Sequence, residues 1–332
     1  MGELGGVQTN TGAKLYFILP AEIQKGLATI GDPLKKTELF AVTGRLNTLS
    51  MIMEAGSGHI GSSFSAMDIV SHLWHNVLRN PNQPQEQYSD TYFSSKGHDA
   101  PGLYSVFIGL GLLPAELLHK LRRLGGLPGH PDISTPHIAT NTGSLGMGIS
   151  KAHGMALARR MQKKSGRFYV LMGDGELQEG QFWESLQPAV NASLGEITAI
   201  IDHNKIQSDA LIKETSDLGD IEQKLRAFGW FVIRIDGHDI SAIAGAIDEC
   251  AAVQDRPQII IADTVKGKGV SFMERIGEDG YYKFHSGAPF GGGLSKGVGR
   301  ASGAHPRPRH RTGHFRNSAS CARRAAKSTA AH

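Results

Sequence analysis

Two polar side chains with metal-binding oxygens follow apolar runs that are typical of buried strands. Asp174 follows the run 168–172, and Asn204 follows the run 197–202, thirty residues further along. Because the carboxyl ends of parallel strands meet at one edge of a sheet, we expect both oxygens at the same place. Such oxygens suit a hard cation such as Mg²⁺, which shares its shell with phosphates. Helix capping by Asp174 is the alternative, and the spacing of one strand–helix–strand unit favours the metal.

Glycines surround the first of these positions, in the stretch GDGELQEG at 173–180. Gly173 and Gly175 carry no Cβ, so the backbone can approach a diphosphate closely. The N-terminus of the following helix also favours negative charge. The pattern therefore predicts a diphosphate held through a metal ion at the end of a strand.

The elements that must position these residues alternate along the second half of the chain. We predict strands at 168–172, 197–202, 231–235 and 258–263, and helices at 181–192, 221–228 and 240–253. Strands with almost continuous apolar sequence indicate an α/β fold, in which a parallel sheet is covered by helices on both faces. Earlier in the chain we predict a loop at 57–63, a strand at 92–95, and helices at 35–54, 65–78, 101–110, 114–124 and 143–162.

Composition divides the chain into an N-terminal extension at 1–34, one domain at 35–293 and a basic tail at 294–332. The tail carries nine Lys and Arg residues and no acidic ones, so without it the formal net charge of +4 becomes −5. It has few large apolar residues and cannot build a core. We favour a solvated, disordered tail over one that contacts nucleic acid. A further hypothesis is that it is the out-of-frame translation of a GC-rich gene end, which resequencing the gene tests.

The chain carries neither a secretory signal nor an apolar run long enough for a membrane span. Its two cysteines, Cys250 and Cys321, have no metal-like or redox-like spacing. We therefore expect a reduced, cytoplasmic setting without membrane contact.

From about residue 38 to residue 292 the chain resembles the N-terminal half of transketolase, a thiamine-diphosphate-binding fold. The ordered motifs that match include SGHIGSS, SKGHDAPGLY, TNTGSLGMG, GDGELQEGQFWE, DHNKIQSD, TVKGKG and HSGAP. The resemblance implies thiamine diphosphate as cofactor, with Mg²⁺, or Ca²⁺ or Mn²⁺ in its place. It also implies transfer of a two-carbon ketol unit from a ketose to an aldose, with sugar phosphates as the default substrates.

The resemblance also assigns roles to individual residues. The metal would be held by the side chains of Asp174 and Asn204 and by the main-chain carbonyl of Ile206. The cofactor would contact the remaining positions of the binding set: His98, Gly143, Leu145, Gly173, Gly175, Asn204 and His285. Of these, Gly143 and Leu145 lie toward its aminopyrimidine side. Glu179 would belong to a proton relay between paired active sites, and a carboxylate that only stabilises a helix N-terminus is the alternative.

Histidines would line the substrate channel. His59, His130 and His285 are assigned to sugar hydroxyls and proton transfer, and with His98 they all lie in glycine-containing loops. Ketol transfer deprotonates and reprotonates a hydroxyl, so a side chain that titrates near neutrality is suited to it. A single histidine in a loop is usually just an exposed polar residue. Four histidines in glycine-containing loops favour a functional site.

Full-length transketolases continue with a domain that binds the aminopyrimidine ring and supplies an activating glutamate. This sequence resembles the split form, in which a partner subunit provides that domain, and a heterotetramer is the assembly we expect. Ile60, where long-chain members usually have proline, fits the split group. The alternatives are a deoxyxylulose-phosphate-synthase-like subunit, whose GDG motif usually continues without ELQEG, another thiamine-dependent enzyme, and a non-catalytic cofactor-binding scaffold.

Overall fold

The protein is described by a computed structural model over residues 5–8 and 14–289, with side chains from Leu15 onward. The predicted tail therefore lies outside the described residues. Within them, every helix is too short or too polar to span a bilayer. The strands are β1 Gly5–Gln8, β2 Lys14–Phe17, β3 Thr91–Ser94, β4 Phe168–Gly173, β5 Ile197–His203, β6 Ile206–Gln207, β7 Ala210–Leu211, β8 Phe231–Asp236 and β9 Gln258–Asp263.

Five of these strands form the central sheet, in the order β3-β4-β5-β9-β8, and every neighbouring pair is parallel. The short pairs β1–β2 and β6–β7 are antiparallel. The helices are α1 Pro20–Ala28, α2 Pro33–Ala55, α3 Ile60–Ser65, α4 Met67–His72, α5 Ala100–Gly109, α6 Gly148–Met161, α7 Gly180–Asn191, α8 Ile212–Thr215, α9 Ile221–Ala227 and α10 Ile240–Ala252. A π-helical turn, Leu73–Val77, continues α4.

Two hydrophobic cores lie on opposite faces of the sheet. Tyr169 and Leu171 of β4 pack into the core that contains residues of α2, α4, α5 and α10. Their neighbours Phe168, Val170 and Met172 pack into the second core, with residues of α6, α7 and α9. Side chains alternate between the faces of a strand, so a strand buried on both sides needs apolar residues throughout. The predicted α/β fold with helices on both faces is confirmed.

The carboxyl ends of β4 and β5 lie side by side, which brings the predicted metal ligands together. Gly173 is in register with Asp202, so Asp174 and Asn204 follow at the same edge of the sheet. The chain after Asn204 turns at once into the β6–β7 hairpin. Residues after β9 leave the sheet at this edge too, because β9 pairs in parallel with β5.

The helix predicted at 143–162 is too long at its N-terminal end. The structure begins α6 at Gly148, because Gly143 and Gly146 have φ of 116° and 80°, which a right-handed helix excludes. The small residues Gly146, Gly148, Ala152 and Ala156, which also suit a closely packed helix, concealed this loop. The predicted helix at 114–124 is likewise reduced to the 3₁₀ turn Ala115–His119.

Two other segments are more helical than predicted. The loop predicted at 57–63 gives way to α3 at Ile60, and the extension 1–34 contains α1 and the start of α2. Pro20 and Pro33 occupy the first turns of α1 and α2, where their fixed φ suits a helix.

Candidate active site

A cavity of about 340 Å³ opens at the carboxyl edge of the sheet. It is lined by eleven of the twelve residues predicted for the site: His59, His98, His130, Gly143, Leu145, Gly173, Asp174, Gly175, Asn204, Ile206 and His285. Glu179 is the exception. Its side chain is exposed at the start of α7, and it is not part of the cavity wall.

Four imidazole rings cluster at one side of the cavity. The ring centroid of His59 lies 5.0 Å from that of His98, 5.0 Å from that of His285 and 6.3 Å from that of His130. The four rings come from separate loops, so only the tertiary fold brings them together. Their mutual distances leave room for a ligand to reach several of them at once.

These imidazoles are held in their neutral form. Burial lowers the pKa of His59 to about 4, and the nearby His285 lowers it further in the same direction. Burial likewise lowers the pKa of His98, His130 and His285. Nδ1 of His98 lies 2.9 Å from the carbonyl oxygen of Lys96. Since a carbonyl only accepts, Nδ1 carries the proton and Nε2 is left with its lone pair. A neutral imidazole can accept a proton from a hydroxyl.

The predicted metal ligands are joined through the backbone. Asp174 accepts hydrogen bonds from the backbone N–H of Gly175, at 2.8 Å, and from that of Lys205. Oδ1 of Asn204 accepts from the backbone N–H of Ile206 at 3.2 Å. Burial, with Asp202 close by, raises the pKa of Asp174 to about 7. Because Asp202 is already paired with Lys96, Asp174 is the carboxylate at this edge that a cation would stabilise.

The donor set fits a divalent cation that depends on its cofactor for part of its shell. It offers one carboxylate, one amide oxygen and one carbonyl oxygen, all of the hard type that Mg²⁺ prefers. Over the described part of the chain, no three His, Cys, Asp or Glu side chains gather as a metal site. The carbonyl of Ile206 accepts a hydrogen bond from Nζ of Lys266 at 3.0 Å. If this oxygen binds a metal ion, the lysine must either share the oxygen with the metal or move away from it.

A buried ion pair forms the floor of the cavity. Nζ of Lys96 lies 2.6 Å from Oδ2 of Asp202, and the two side chains are 1% and 0% exposed. Burial works against the lysine charge, but Asp202 and Asp99 outweigh it and raise the pKa of Lys96. The amide of Asn204 donates to Asp202 at 3.3 Å, which fixes the amide orientation and directs its oxygen away from the ion pair.

Polar atoms in the cavity wall lack partners, as expected of a binding site. Nδ1 of His59, Oγ of Ser62 and Oε1 of Gln207 are buried and make no hydrogen bond. Lys266 is also in the wall and is 4% exposed, and burial lowers its pKa to about 8. Unpaired buried polar atoms cost free energy, so a ligand with phosphate oxygens would satisfy the Ser62 hydroxyl, and a ligand with a donor group would satisfy Oε1 of Gln207.

Gly143 is required by its surroundings. Its φ of 116° is unfavourable for other residues, and a Cβ at this position would lie 2.8 Å from Cδ2 of His130. The loop 142–147 can therefore approach the histidine cluster only with glycine at this position. This places Gly143 and Leu145 in the cavity wall on the side of His130.

Glu176 is a buried carboxylate with a structural role in the cavity wall. The side chain is 2% exposed. It accepts hydrogen bonds from the hydroxyl of Ser95, from the backbone N–H of Gly146 at 2.9 Å and from that of Gly173 at 3.0 Å. One carboxylate thus fastens three loops of the cavity wall to one another.

Sequence reasoning missed several residues in the wall, namely Ser62, Lys96, Glu176, Gln207, Ser208 and Lys266. All six lie inside motifs that carry the family resemblance, such as SKGHDAPGLY and TVKGKG. A signal was available for the two lysines, since each follows a predicted strand at the ligand-binding edge of the sheet.

Comparison with known proteins agrees with this geometry. The model of the family "Transketolase, thiamine diphosphate binding domain" matches residues 36–307. A 6-deoxy-6-sulfo-D-fructose transketolase subunit of Clostridium sp. (strain MSTE9) is 40% identical over 230 residues, which cover 68% of this chain and 84% of that protein. An apulose-4-phosphate transketolase subunit of Phocaeicola vulgatus is 35% identical over 254 residues, which cover 76% of this chain and 89% of that protein.

Among solved structures, transketolase from Leishmania mexicana superimposes with a TM-score of 0.69 at 28% sequence identity. The match covers 76% of this chain but only 39% of that transketolase, so the chain corresponds to less than half of a long-chain enzyme. The family match and the two subunit relatives both extend over most of the sequence. This chain belongs to the transketolase family, as a thiamine diphosphate binding domain.

Proposed function

We propose that the chain is the diphosphate-binding subunit of a two-subunit transketolase, a transferase that moves a two-carbon ketol unit from a ketose to an aldose. The observation that carries the proposal is the single cavity in which the Asp174–Asn204 pair meets four neutral histidines. Two relatives named as transketolase subunits are covered over 84% and 89% of their length, which supports a separate polypeptide of this extent.

Thiamine diphosphate, when bound, supplies the nucleophilic carbon that cleaves the bond beside the ketose carbonyl. Asp174, Asn204 and the Ile206 carbonyl would hold the metal ion, for which we propose Mg²⁺, with Ca²⁺ or Mn²⁺ as substitutes. The backbone around Gly173 and Gly175, together with His98 and Lys266, would receive the diphosphate. Gly143 and Leu145 would adjoin its aminopyrimidine side.

The histidines would then handle the protons of the sugar. Burial keeps His59, His130 and His285 neutral, so His59 and His130 can each accept a hydrogen bond or a proton from a substrate hydroxyl. Nδ1 of His285 lies 3.4 Å from Nζ of Lys266, so the lysine donates to Nδ1 and Nε2 of the histidine carries the ring proton. His285 can therefore donate where the other rings accept.

Glu179 stands apart from this chemistry and we propose it for contact between half-sites. It is exposed where α7 begins, and its Cβ would meet a Cβ at Gly146, so it borders the loop that forms the cavity wall. An exposed carboxylate so close to the wall is suited to a proton relay across a subunit contact.

The missing half of the active site would come from a partner subunit that binds the aminopyrimidine ring, in a heterotetramer. We propose sugar phosphates as substrates, as in the name of the apulose-4-phosphate relative, whereas the other relative is named for 6-deoxy-6-sulfo-D-fructose, which carries a sulfonate instead. Cytoplasmic location is part of the proposal, and the buried free thiol of Cys250 is compatible with it.

Co-expression with the neighbouring reading frame tests the proposal. We expect the purified chain alone to show no ketol transfer, and the complex to transfer a two-carbon unit from at least one ketose of a panel when thiamine diphosphate and Mg²⁺ are present. Ketol transfer by the chain alone would contradict the split assembly. A complex that binds the cofactor but turns over no ketose would support the non-catalytic scaffold.

Asp174→Asn tests the metal site independently of turnover. The exchange removes the charged ligand but keeps the shape, so we expect the Mg²⁺-dependent affinity for thiamine diphosphate to fall at least about tenfold, as for loss of a charge-assisted contact. Titration calorimetry on the full complex measures it. Asp255→Asn, an exposed carboxylate outside the cavity, is the control. Equal affinities in the two variants would contradict the assignment.

A further inference from the structure

A second cavity, of about 470 Å³, lies at the amino end of β4, at the opposite edge of the sheet from the active site. Five cationic side chains line it: Arg79, Arg159, Arg160, Lys164 and Arg167. Glu196 is the single acidic residue in its wall. The lining therefore carries a formal charge of +4, in a molecule whose charge without the tail is negative.

Two of the five cations already have carboxylate partners. Arg160 forms a two-pronged pair with Glu196, in which both nitrogen–oxygen distances are 2.6 Å. Arg79 lies over the ring of Tyr88, and its Nε is 3.8 Å from Oδ2 of Asp90. These pairs neutralise part of the wall and leave the other three cations to be accounted for.

The remaining three side chains donate only to neutral oxygens among the residues that the structure describes. Arg159 is 8% exposed and donates to the carbonyls of Ser89 and Ser165. Lys164 donates to the carbonyls of Pro84 and Gln85 at 2.7 and 2.9 Å. Asp90 attracts Arg159, but within the described residues none of these three side chains is hydrogen-bonded to a carboxylate, so an anion in the cavity would stabilise them further.

Arg167 adds a donor that has no acceptor. Its Nη2 donates to Oε1 of Gln258 at 2.7 Å and to Oγ1 of Thr198 at 3.1 Å, whereas its Nε is buried and makes no hydrogen bond. A guanidinium is a fork of donors that matches the oxygens of phosphate. This Nε–H lies beneath the surface, so what Arg167 offers the cavity is its charge.

The C-terminal end of α6 explains only part of this cluster. Cations are favoured in the last turn of a helix, where the dipole is negative, and Arg159 and Arg160 occupy that turn. Arg79 follows the π-helical turn, and Lys164 and Arg167 lie in the connection between α6 and β4, so all three are outside that last turn. Their convergence on one concave surface points to a ligand.

We propose that this cavity is a binding site for a phosphate-bearing small anion, separate from the diphosphate-binding pocket. Inorganic phosphate and the phosphate group of a sugar phosphate share the chemistry that the wall recognises: a compact dianion with several acceptor oxygens. The volume of the cavity exceeds that of a phosphate ion and accommodates a phosphorylated metabolite.

Calorimetric titration of the full chain with inorganic phosphate, and separately with ribose 5-phosphate, tests the site. We expect Arg79→Gln/Lys164→Gln to weaken binding at this site at least about tenfold, because two charged donors are lost. The control Lys213→Gln/Arg275→Gln removes the same charge from exposed positions outside the cavity and should change little. Lys266→Gln, in the other pocket, should leave the site intact.

The two ligands identify the source of the anion. Equal affinity assigns the site to free phosphate, and tighter binding of ribose 5-phosphate assigns it to a phosphorylated metabolite. Should the double variant lose its folded circular dichroism spectrum, the single variant Lys164→Gln replaces it, since this side chain contacts only carbonyls of the 84–85 loop. The proposal is overturned if the cavity variants and the control variant bind both ligands equally, or if the protein binds neither.

Discussion

At the scale of single residues, the site rests on charges that have been removed from water. Lys96 and Asp202 lie beneath the cavity with almost no exposure, and Asp202 also accepts from Ser65 at 2.7 Å. Such a pair contributes little net stability, but removal of one partner leaves an uncompensated buried charge. The pair matters for the site because its carboxylate, Asp202, fixes the orientation of the Asn204 amide.

Lys96→Met should therefore destabilise the chain by about 3–5 kcal/mol, the usual cost of breaking a buried ion pair. Urea unfolding followed by circular dichroism measures the change. Lys213→Met, on an exposed position, should lie within about 0.5 kcal/mol of the parent chain. We expect Asp202→Asn added to Lys96→Met to recover part of the loss, and no recovery would show that charge is not the cause.

The histidines make stability depend on pH. The pKa of His59 is about 4 in the folded chain, mainly through burial, against its ordinary value of 6.5. Between these values the unfolded chain binds a proton that the folded chain does not, so the free energy of unfolding falls as pH decreases from 6.5 to about 4. The change ends below that, where both states are protonated.

His59→Gln should flatten this part of the pH profile. Urea unfolding at several pH values between about 4 and 7 measures the slope, with His153→Gln in α6 as the control. A slope in His59→Gln equal to that of the control variant would contradict the assignment. The other lowered histidines leave some pH dependence in both variants.

At the scale of elements, the loop before α6 shows what glycine supplies. Gly143 combines positive φ with contact against His130, whereas Gly154, inside α6, has no atom near the position of a Cβ. The two glycines lie in neighbouring segments, but only at Gly143 do the backbone conformation and the surroundings exclude a side chain.

Gly143→Ala should cost about 1–3 kcal/mol of stability, and Gly154→Ala should add about 0.5–1 kcal/mol because alanine is the better helix former. Thermal unfolding compares the two variants directly. We also expect Gly143→Ala to weaken cofactor binding through displacement of His130, while Gly154→Ala leaves it unchanged. Similar stability changes in both variants would refute the distinction.

The elements that were predicted well from sequence are those that a short stretch of sequence determines by itself. Strands such as 168–172 are continuous apolar runs, and Asp174 and His98 follow strands in glycine loops, so their convergence could be foreseen. The positive φ of Gly146 could not, because small residues also suit a close-packed helix. The partners of Lys96 and Glu176 lie far away in sequence, so neither burial nor hydrogen bonding was visible in a linear pattern.

At the scale of the whole molecule, charge is unevenly distributed along the chain. The nine basic residues of 294–332 turn a net charge of −5 into +4. The sequence predicts that this tail takes no part in the core, and it lies outside the described residues.

Truncation after Gly293 should therefore leave the free energy of unfolding within about 0.5 kcal/mol of the full chain, and should shift the chain from cation-exchange to anion-exchange retention at neutral pH. Unfolding curves and chromatography of both chains measure these properties. A salt-sensitive shift of DNA by the full chain that truncation abolishes would instead support nucleic-acid contact.

The sheet also acts as a partition between two independently packed interiors. Tyr169 and Val170 are adjacent in the chain, yet their side chains belong to different cores. Substitutions on opposite faces share no packing partner, so their effects on stability should be additive, whereas those on one face should show coupling. Selection can thus remodel one interior while the other stays constant, and the loops at the carboxyl edge, anchored by strands that both interiors support, keep their arrangement.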